Sequence, residues 1–381
     1  MPRPTCAFVA GEASGDLLAA GVIAELQRLA PGIQCAGVGG DRMIEVGFDA
    51  WAHVRELSVR GYVEVLRHLP RLLKLRRDLA ARLSAEPPAV FVGVDAPDFN
   101  LGLEEKLRVR GIRVVHFISP SIWAWRAERI EQIRRAVDRM LLVFPFEQAI
   151  YDAANIPATY VGHPLASMIP MTPDAPAARA RLGLPADAPV VAVLPGSRAD
   201  EVKYLGPTFL AALEHLLRRE PGIRFVLPVA DAPLRALLES MLVAHAALVP
   251  AMMLVDGRSH DCLEAADTVL VASGTATLEA ALFKRPMVIA YKMPAVSAWL
   301  MRRKKMIPYV GLPNIMAGEF LVPELLQEDA TPVALAEALH AQLHDAPLRA
   351  RLEQRFGAMH VELKRDTSAL AAQAIIEVTR R

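Results

Sequence analysis

"VLVASGTATLEAALFKRPMVIAY", residues 269–291, reads as strand, turn, helix and strand in one short span. Two apolar runs, 269–272 and 287–291, flank a helical pattern near 275–284, the repeating unit of a parallel α/β sheet. The helix begins directly after Ser273, Gly274 and Thr275, which carry neither bulk nor charge. Such a start leaves backbone N–H groups uncovered at the positive end of the helix dipole, where an anion can sit. Glu279 follows in the first turns. A carboxylate cannot hold a phosphate, but it can accept hydrogen bonds from the two hydroxyls of a neighbouring ribose.

The same alternation runs outward in both directions. Strands are expected near 5–10, 34–38, 89–94, 112–118, 139–144 and 158–161, with helices near 16–29, 62–83, 100–110, 127–136 and 146–154. The proline-rich stretch "GHPLASMIPMTPDAP", 162–176, interrupts the rhythm as a linker. The pattern restarts with strands near 189–194, 223–228 and 252–255, and from about 331 onward it is helical. The fold class is therefore α/β: two Rossmann-like domains with parallel sheets facing a cleft, followed by C-terminal helices. The expected divisions are 1–165, 166–345 and 346–381, the last packing back on the N-terminal domain.

Composition narrows the field. Of 381 residues, 53% are hydrophobic and the formal net charge is +1, which fits a well-buried globular chain and disfavours a nucleic-acid partner. Cys6, Cys35 and Cys262 share no metal-type spacing and read as buried thiols of a reducing compartment. No secretory signal is read at the start, and Pro157, Pro164, Pro170 and Pro173 break the longest uncharged stretch, so no membrane span is expected.

Ligands of such sheets collect where strands end and helices begin. "VAGEASGD" offers Gly11, Glu12, Ser14 and Gly15, with Asp16 as a cap for the next helix. "GVGGDRM", 37–43, fails the dinucleotide spacing because position 42 is arginine, which disfavours a nicotinamide cofactor. In "VFVGVDAPDFN" an apolar strand delivers Asp95. Asp98 is placed to cap the helix beginning near 100, which leaves Asp95 free as a candidate general base. "HFISPSIWAWR" adds Ser119 and two tryptophans, Trp123 and Trp125, either core or a wall for a sugar or acceptor. "VLPGSR" exposes amides at Gly196 and Ser197 and adds Arg198, a fixed fork suited to phosphate. Arg198 with the 273–275 helix start and Glu279 suggests a nucleoside diphosphate. No Asp-x-Asp pair occurs, and the histidines are read as lacking a ligand spacing, so no metal is expected; Arg198 and amides neutralise the leaving charge.

"GEASGD", "VGVDAPDFN", "SPSIWAWR", "LPGSR", "SGTATLEAAL" and "YVGLPNIMAGEFLVPELLQ" together resemble the lipid-A-disaccharide synthase family over about residues 5–345. The resemblance implies an inverting GT-B glycosyltransferase in the lipid A pathway of Gram-negative bacteria. It implies a UDP-linked 2,3-diacylglucosamine donor, a 2,3-diacylglucosamine 1-phosphate acceptor, and a β-1,6-linked product with release of UDP. Asp95 and Arg198 then take the catalytic places. Gly11, Glu12, Ser14, Asp98, Ser119, Ser197, Ser273, Gly274, Thr275, Glu279 and Asn314 form the substrate-binding set. No cofactor is implied, and a homodimer is one expected assembly.

Two basic amphipathic segments fit acyl-chain substrates. Residues 62–83 carry Arg67, Arg71, Lys74, Arg76, Arg77 and Arg82 among leucines, and 295–305 ends in Arg302, Arg303, Lys304 and Lys305. Such stretches bind anionic membrane surfaces, which points to peripheral attachment at the cytoplasmic face of the inner membrane. The competing readings are a UDP-sugar 2-epimerase, which would need further acids and histidines, and a non-catalytic nucleotide-binding protein, which would have no use for Asp95.

Overall fold

The structure is a computed structural model that describes residues 5–57, 62–294 and 306–380, with the side chains of the helix Tyr62–Ala85 given from His68 onward. The chain forms two compact units, residues 1–167 with 363–381 and residues 168–362. The sequence-based divisions fell at 165/166 and 345/346. The difference comes from the helix Ala346–Leu363, which lies almost wholly in the second unit, so that only the last helix, Thr367–Thr379, joins the first.

The first unit holds seven strands: β1 (Thr5–Ala10), β2 (Gln34–Gly39), β3 (Asp49–His53), β4 (Val90–Val94), β5 (Val114–Phe117), β6 (Arg139–Leu142) and β7 (Ala158–Tyr160). They pair in the order β3-β2-β1-β4-β5-β6-β7, and each pairing is parallel. The second unit holds β8 (Val190–Leu194), β9 (Arg224–Val229), β10 (Met252–Asp256), β11 (Thr268–Ala272), β12 (Met287–Tyr291) and β13 (Glu324–Leu326). Their order is β10-β9-β8-β11-β12-β13, again parallel throughout.

The central strands β4, β8 and β11 are buried at every residue, as required when helices cover both faces of a parallel sheet. In the second unit, Val193, Leu227, Leu270 and Val288 meet Leu213 and Leu339 in one core. In the first, Val9, Phe91, Val114 and Met140 meet Leu103, Leu107 and Tyr151. Cys6, Cys35 and Cys262 are free and buried.

Two edge strands escaped the sequence reading. β3, "DAWAH", is only half-buried, and β13 has three residues, so neither shows a closed apolar run. The expected linker is also partly helical. Pro164–Met168 is a short helix, and Asp174 caps Ala175–Leu182 by accepting the Ala177 N–H at 3.0 Å.

In each sheet the strand order reverses once, between β1 and β4 and between β8 and β11. At that point the chain leaves one strand toward one face and its neighbour toward the other, opening a crevice beyond the strand ends. The loops after β1, β4, β8 and β11 carry Glu12, Asp95, Arg198 and Ser273–Gly274 respectively.

Candidate active site

The two loops at the first reversal touch. The Gly11 N–H donates to the Val94 carbonyl at 3.4 Å, and a side chain at Gly11 would collide with Ala96. Glu12 is half-buried at the N-cap of the helix Ala13–Leu29, and Ser14 is exposed one residue inside it. Asp16 does not cap its own helix. It is buried and reaches the next one, accepting N–H groups from Gly40 at 2.6 Å, Arg42 at 3.1 Å and Met43 at 3.2 Å. The helix start it stabilises is therefore that of Asp41–Glu45, a partner distant in sequence.

Asp95 is half-buried and stands in the left-handed region, φ 54°, as does Ala96, φ 45°. A non-glycine residue held there costs of order 1–3 kcal/mol, and such positions cluster at working sites. The strain is held by two hydrogen bonds: the Asp95 N–H donates to Phe117 O at 2.9 Å, and the Asn100 amide donates to Asp95 O at 2.8 Å. Asn100 is fully buried and also reaches Val9 O at 3.3 Å, so it ties the ends of β1 and β4 together. Beneath it lies a buried pair, His116 Nδ1 and Glu104 Oε1 at 2.7 Å. A side chain at Gly93 would strike that carboxylate. Burial opposes a charge on His116, but Glu104 and Asp95 outweigh it and raise its pKa. The sequence showed Asn100 behind Asp95 without a role and did not mark Glu104 or His116; a histidine inside the apolar run "VVHFI" was the available signal.

Asp98 departs from its expected part. The helix starts at Pro97 with Ala96 as its N-cap and no side-chain cap, and the exposed Asp98 pairs with Arg129 and, at 3.7 Å, with Arg126. Ser119 is buried, its hydroxyl bonded to Tyr151 at 2.7 Å. Trp123 sits edge-on to Phe146 and donates its indole N–H to Glu147 at 3.1 Å, whereas Trp125 is exposed with Arg126 stacked 4.2 Å over its ring.

At the second reversal, Arg198 is the N-cap of the helix Ala199–Arg219 and its side chain is mostly exposed. Its guanidinium lies 3.2 Å from Glu201 Oε1, and the Ser197 N–H donates to Glu201 Oε2 at 3.1 Å. Gly196, φ 125°, leaves room for that carboxylate; a Cβ there would lie 2.6 Å from the Glu201 Cβ. Ser197 and Arg198 thus converge on one carboxylate, the protein's own Glu201.

The start of the helix Thr275–Leu282 supplies fewer donors than expected. The Ser273 N–H is taken by Ala290 O at 3.2 Å and its hydroxyl by Val310 O at 3.0 Å. Gly274, φ 153°, and Thr275 are exposed, and helix geometry gives the N–H groups of Thr275 and Ala276 no intrahelical acceptor. Glu279 lies mostly buried; burial raises its pKa against the opposing pull of His260, whose Nε2 is 3.8 Å away.

Asn314 is not a free ligand. It is fully buried, donates to Val322 O and Glu324 Oε1 at 2.9 Å each, and accepts Leu321 N–H at 2.9 Å and Val322 N–H at 3.0 Å. Those bonds use an amide's two donors and both acceptor sites. Asn314 instead builds the 310–324 loop, whose Val310 carbonyl holds Ser273.

Two parallel-sheet units of this kind define the class: the chain has the GT-B glycosyltransferase fold. Its structure is similar to Acinetobacter baumannii MurG (TM-score 0.59, 14% identity, 99% of this chain and 100% of that one). It is also similar to a Neisseria meningitidis UDP-GlcNAc 2-epimerase bound to UDP-GlcNAc (TM-score 0.63, 13% identity, 98% of both chains). Residues 6–376 match the family model described as lipid-A-disaccharide synthetase. The chain is 54% identical to a lipid-A-disaccharide synthase of Paraburkholderia phymatum over 99% of its length and 98% of the relative's. It is 55% identical to one of Cupriavidus pinatubonensis over 99% and 94%. The chain belongs to the lipid-A-disaccharide synthase family.

The buried acid at Trp123 yields a pH test. Burial pushes Glu147 up to about 7, against hydrogen bonds from Phe144 N–H and the Trp123 indole, from an ordinary value of 4.5. Between those values the folded protein holds a proton that the unfolded chain has lost. The stabilisation is thus fully present below 4.5 and disappears as pH rises through 7. Urea unfolding of the wild type should lose stability between pH 5 and 8 more steeply than Glu147→Gln, which stays neutral. Parallel pH curves would remove Glu147 from that role.

Proposed function

We propose that the chain transfers 2,3-diacylglucosamine from its UDP conjugate to 2,3-diacylglucosamine 1-phosphate by one inverting displacement. The products are a β-1,6-linked disaccharide 1-phosphate and UDP. The observation that carries this reading is the anion seat of Ser197 and Arg198, filled by an exchangeable internal carboxylate, Glu201. A donor diphosphate replaces Glu201 there, its negative charge shared by Arg198 and the uncovered N–H groups of the helix Thr275–Leu282. Glu279 accepts from the ribose.

In the displacement the bond from the donor's anomeric carbon to the diphosphate oxygen breaks as the bond to the acceptor oxygen forms. The electron pair leaves with UDP, and the acceptor hydroxyl's proton passes to the Asp95 carboxylate. Asp95 has the two properties a base needs here: a backbone fixed in one unusual conformation and a side chain only half-buried. Glu12, at the adjoining loop, binds the acceptor in this reading.

Asp95→Asn is nearly isosteric and should lower turnover about 10²–10⁴-fold with UDP affinity unchanged. UDP release in these assays should require the acceptor, which an epimerase or a simple nucleotide binder would not show. Normal turnover of Asp95→Asn would end the assignment and make Glu12 the base to test. Asp98→Asn should keep turnover, since its carboxylate pairs with Arg129 at the surface.

The same substrates call for a membrane surface. In the helix Tyr62–Ala85, Leu79, Ala80 and Leu83 are buried in the core, but Leu69 and Leu73 are exposed beside Arg71, Lys74 and Arg77. Exposed leucines with cations on one helical stretch suit an anionic bilayer, the leucines entering and the cations pairing with headgroups. The second basic cluster, 302–305, lies outside the described residues. Neutralising Arg71, Lys74 and Arg77 together should weaken binding to anionic vesicles and leave a less salt-sensitive remainder. Undiminished vesicle binding would return this helix to an ordinary solvated face.

A further inference from the structure

At the opposite end of the helix that begins after Arg198, three ligand-type side chains converge. Glu220, His340 and His344 bring one ligand atom each to within 4.8 Å of one another. Reading the histidines as free of ligand spacing overlooked this pair: "HAQLH", 340–344, is His-x-x-x-His.

Their placement follows from the fold of the second unit. In the helix Pro332–His344, Leu335, Leu339 and Leu343 form the stripe that enters the core with Leu205, Phe209 and Leu213. His340 and His344 follow two of those leucines by one residue, so they line the edge of the packed face one turn apart. Glu220 is the C-cap of Ala199–Arg219, its N–H donating to Leu216 O at 2.8 Å and its carbonyl accepting the Ile223 N–H at 3.1 Å. The helix end is therefore fixed where its carboxylate meets both rings.

The distances suit a small metal ion. Glu220 Oε1 lies 3.2 Å from His340 Nε2 and 2.8 Å from His344 Nε2, with ring centroids 4.4 Å apart. Bonds of about 2.0–2.1 Å in a tetrahedron separate neighbouring ligand atoms by roughly 3.3 Å, close to the 3.2 Å and 2.8 Å from Glu220 to the two rings, and all three ligand atoms lie within 4.8 Å of one another. Arg219, the residue before Glu220, carries a positive charge that limits the affinity for a cation.

We propose that Glu220, His340 and His344 form a tridentate site for a divalent transition ion, zinc foremost, with a fourth position left to water. The helix Ala199–Arg219 runs 21 residues from Arg198 to this end, roughly 30 Å at 1.5 Å per residue. The ion therefore cannot touch a diphosphate at Arg198. It clamps the end of one helix to the end of another and raises the unfolding temperature of the second unit.

The test uses full-length protein without a histidine tag. Zinc is titrated in competition with a chromophoric chelator, and thermal unfolding is followed with and without the metal. One zinc per chain and a higher midpoint are expected. Zinc affinity should fall at least tenfold, and the gain in midpoint with it, in His344→Ala at an exposed position and in the nearly isosteric Glu220→Gln, with the fold intact by circular dichroism. Cobalt should give the visible absorption of a four-coordinate site in the wild type alone. No zinc uptake at about 100 µM, or uptake unchanged in both variants, would overturn the proposal.

Discussion

A helix cannot satisfy the first N–H groups of its own backbone, and a parallel sheet collects those helix starts at one edge. Where the strand order reverses, two such edges face an open crevice, and whatever stands there must answer unpaired donors. This chain meets the demand in three ways. Asp16 fills it with a carboxylate from another helix, tying Ala13–Leu29 to Asp41–Glu45. At Ser197, Glu201 fills it with a carboxylate from the same helix. At Thr275 the donors are exposed. The first is structural because Asp16 is buried and bound three times; the exchange proposed for the second rests on Arg198 being largely exposed.

The loop that carries the proposed base obeys a related constraint. Asp95 and Ala96 take left-handed backbone angles that only strong surroundings sustain. Those surroundings are Asn100, which bonds the Asp95 carbonyl, and the buried Glu104–His116 pair beneath. Unpaired buried polar atoms remain on all three residues, Asn100 Oδ1, Glu104 Oε2 and His116 Nε2. A polar nest of this kind is costly to bury and is retained where it fixes a geometry, here the turn that presents Asp95.

The sequence disclosed what is periodic and local. Alternation of apolar runs and amphipathic helices placed eleven of the strands and both units, and small-residue loops marked Gly11, Gly196 and Gly274. It could not disclose partners distant in the chain. Asp98 looked like a cap because Asp before a helix often is one; an αL residue at 96 moved the helix start to Pro97. Asn314 looked like a ligand because its motif is distinctive, yet its amide is consumed by Leu321, Val322 and Glu324, residues that fold back onto it. Nothing local marks Glu104 or Glu147, because only the fold sets His116 and Trp123 against them. β3 and β13 were invisible because edge strands need no continuous apolar run.

The central claim is that Glu201 holds the seat of the donor diphosphate, and UDP calorimetry tests it most directly. Glu201→Gln frees Arg198 and the Ser197 N–H from a competing charge, and Arg198→Ala removes the fork itself. The account predicts tighter UDP binding in Glu201→Gln and at least tenfold weaker binding in Arg198→Ala. Equal affinity in all three proteins, or weaker binding in Glu201→Gln, would contradict it.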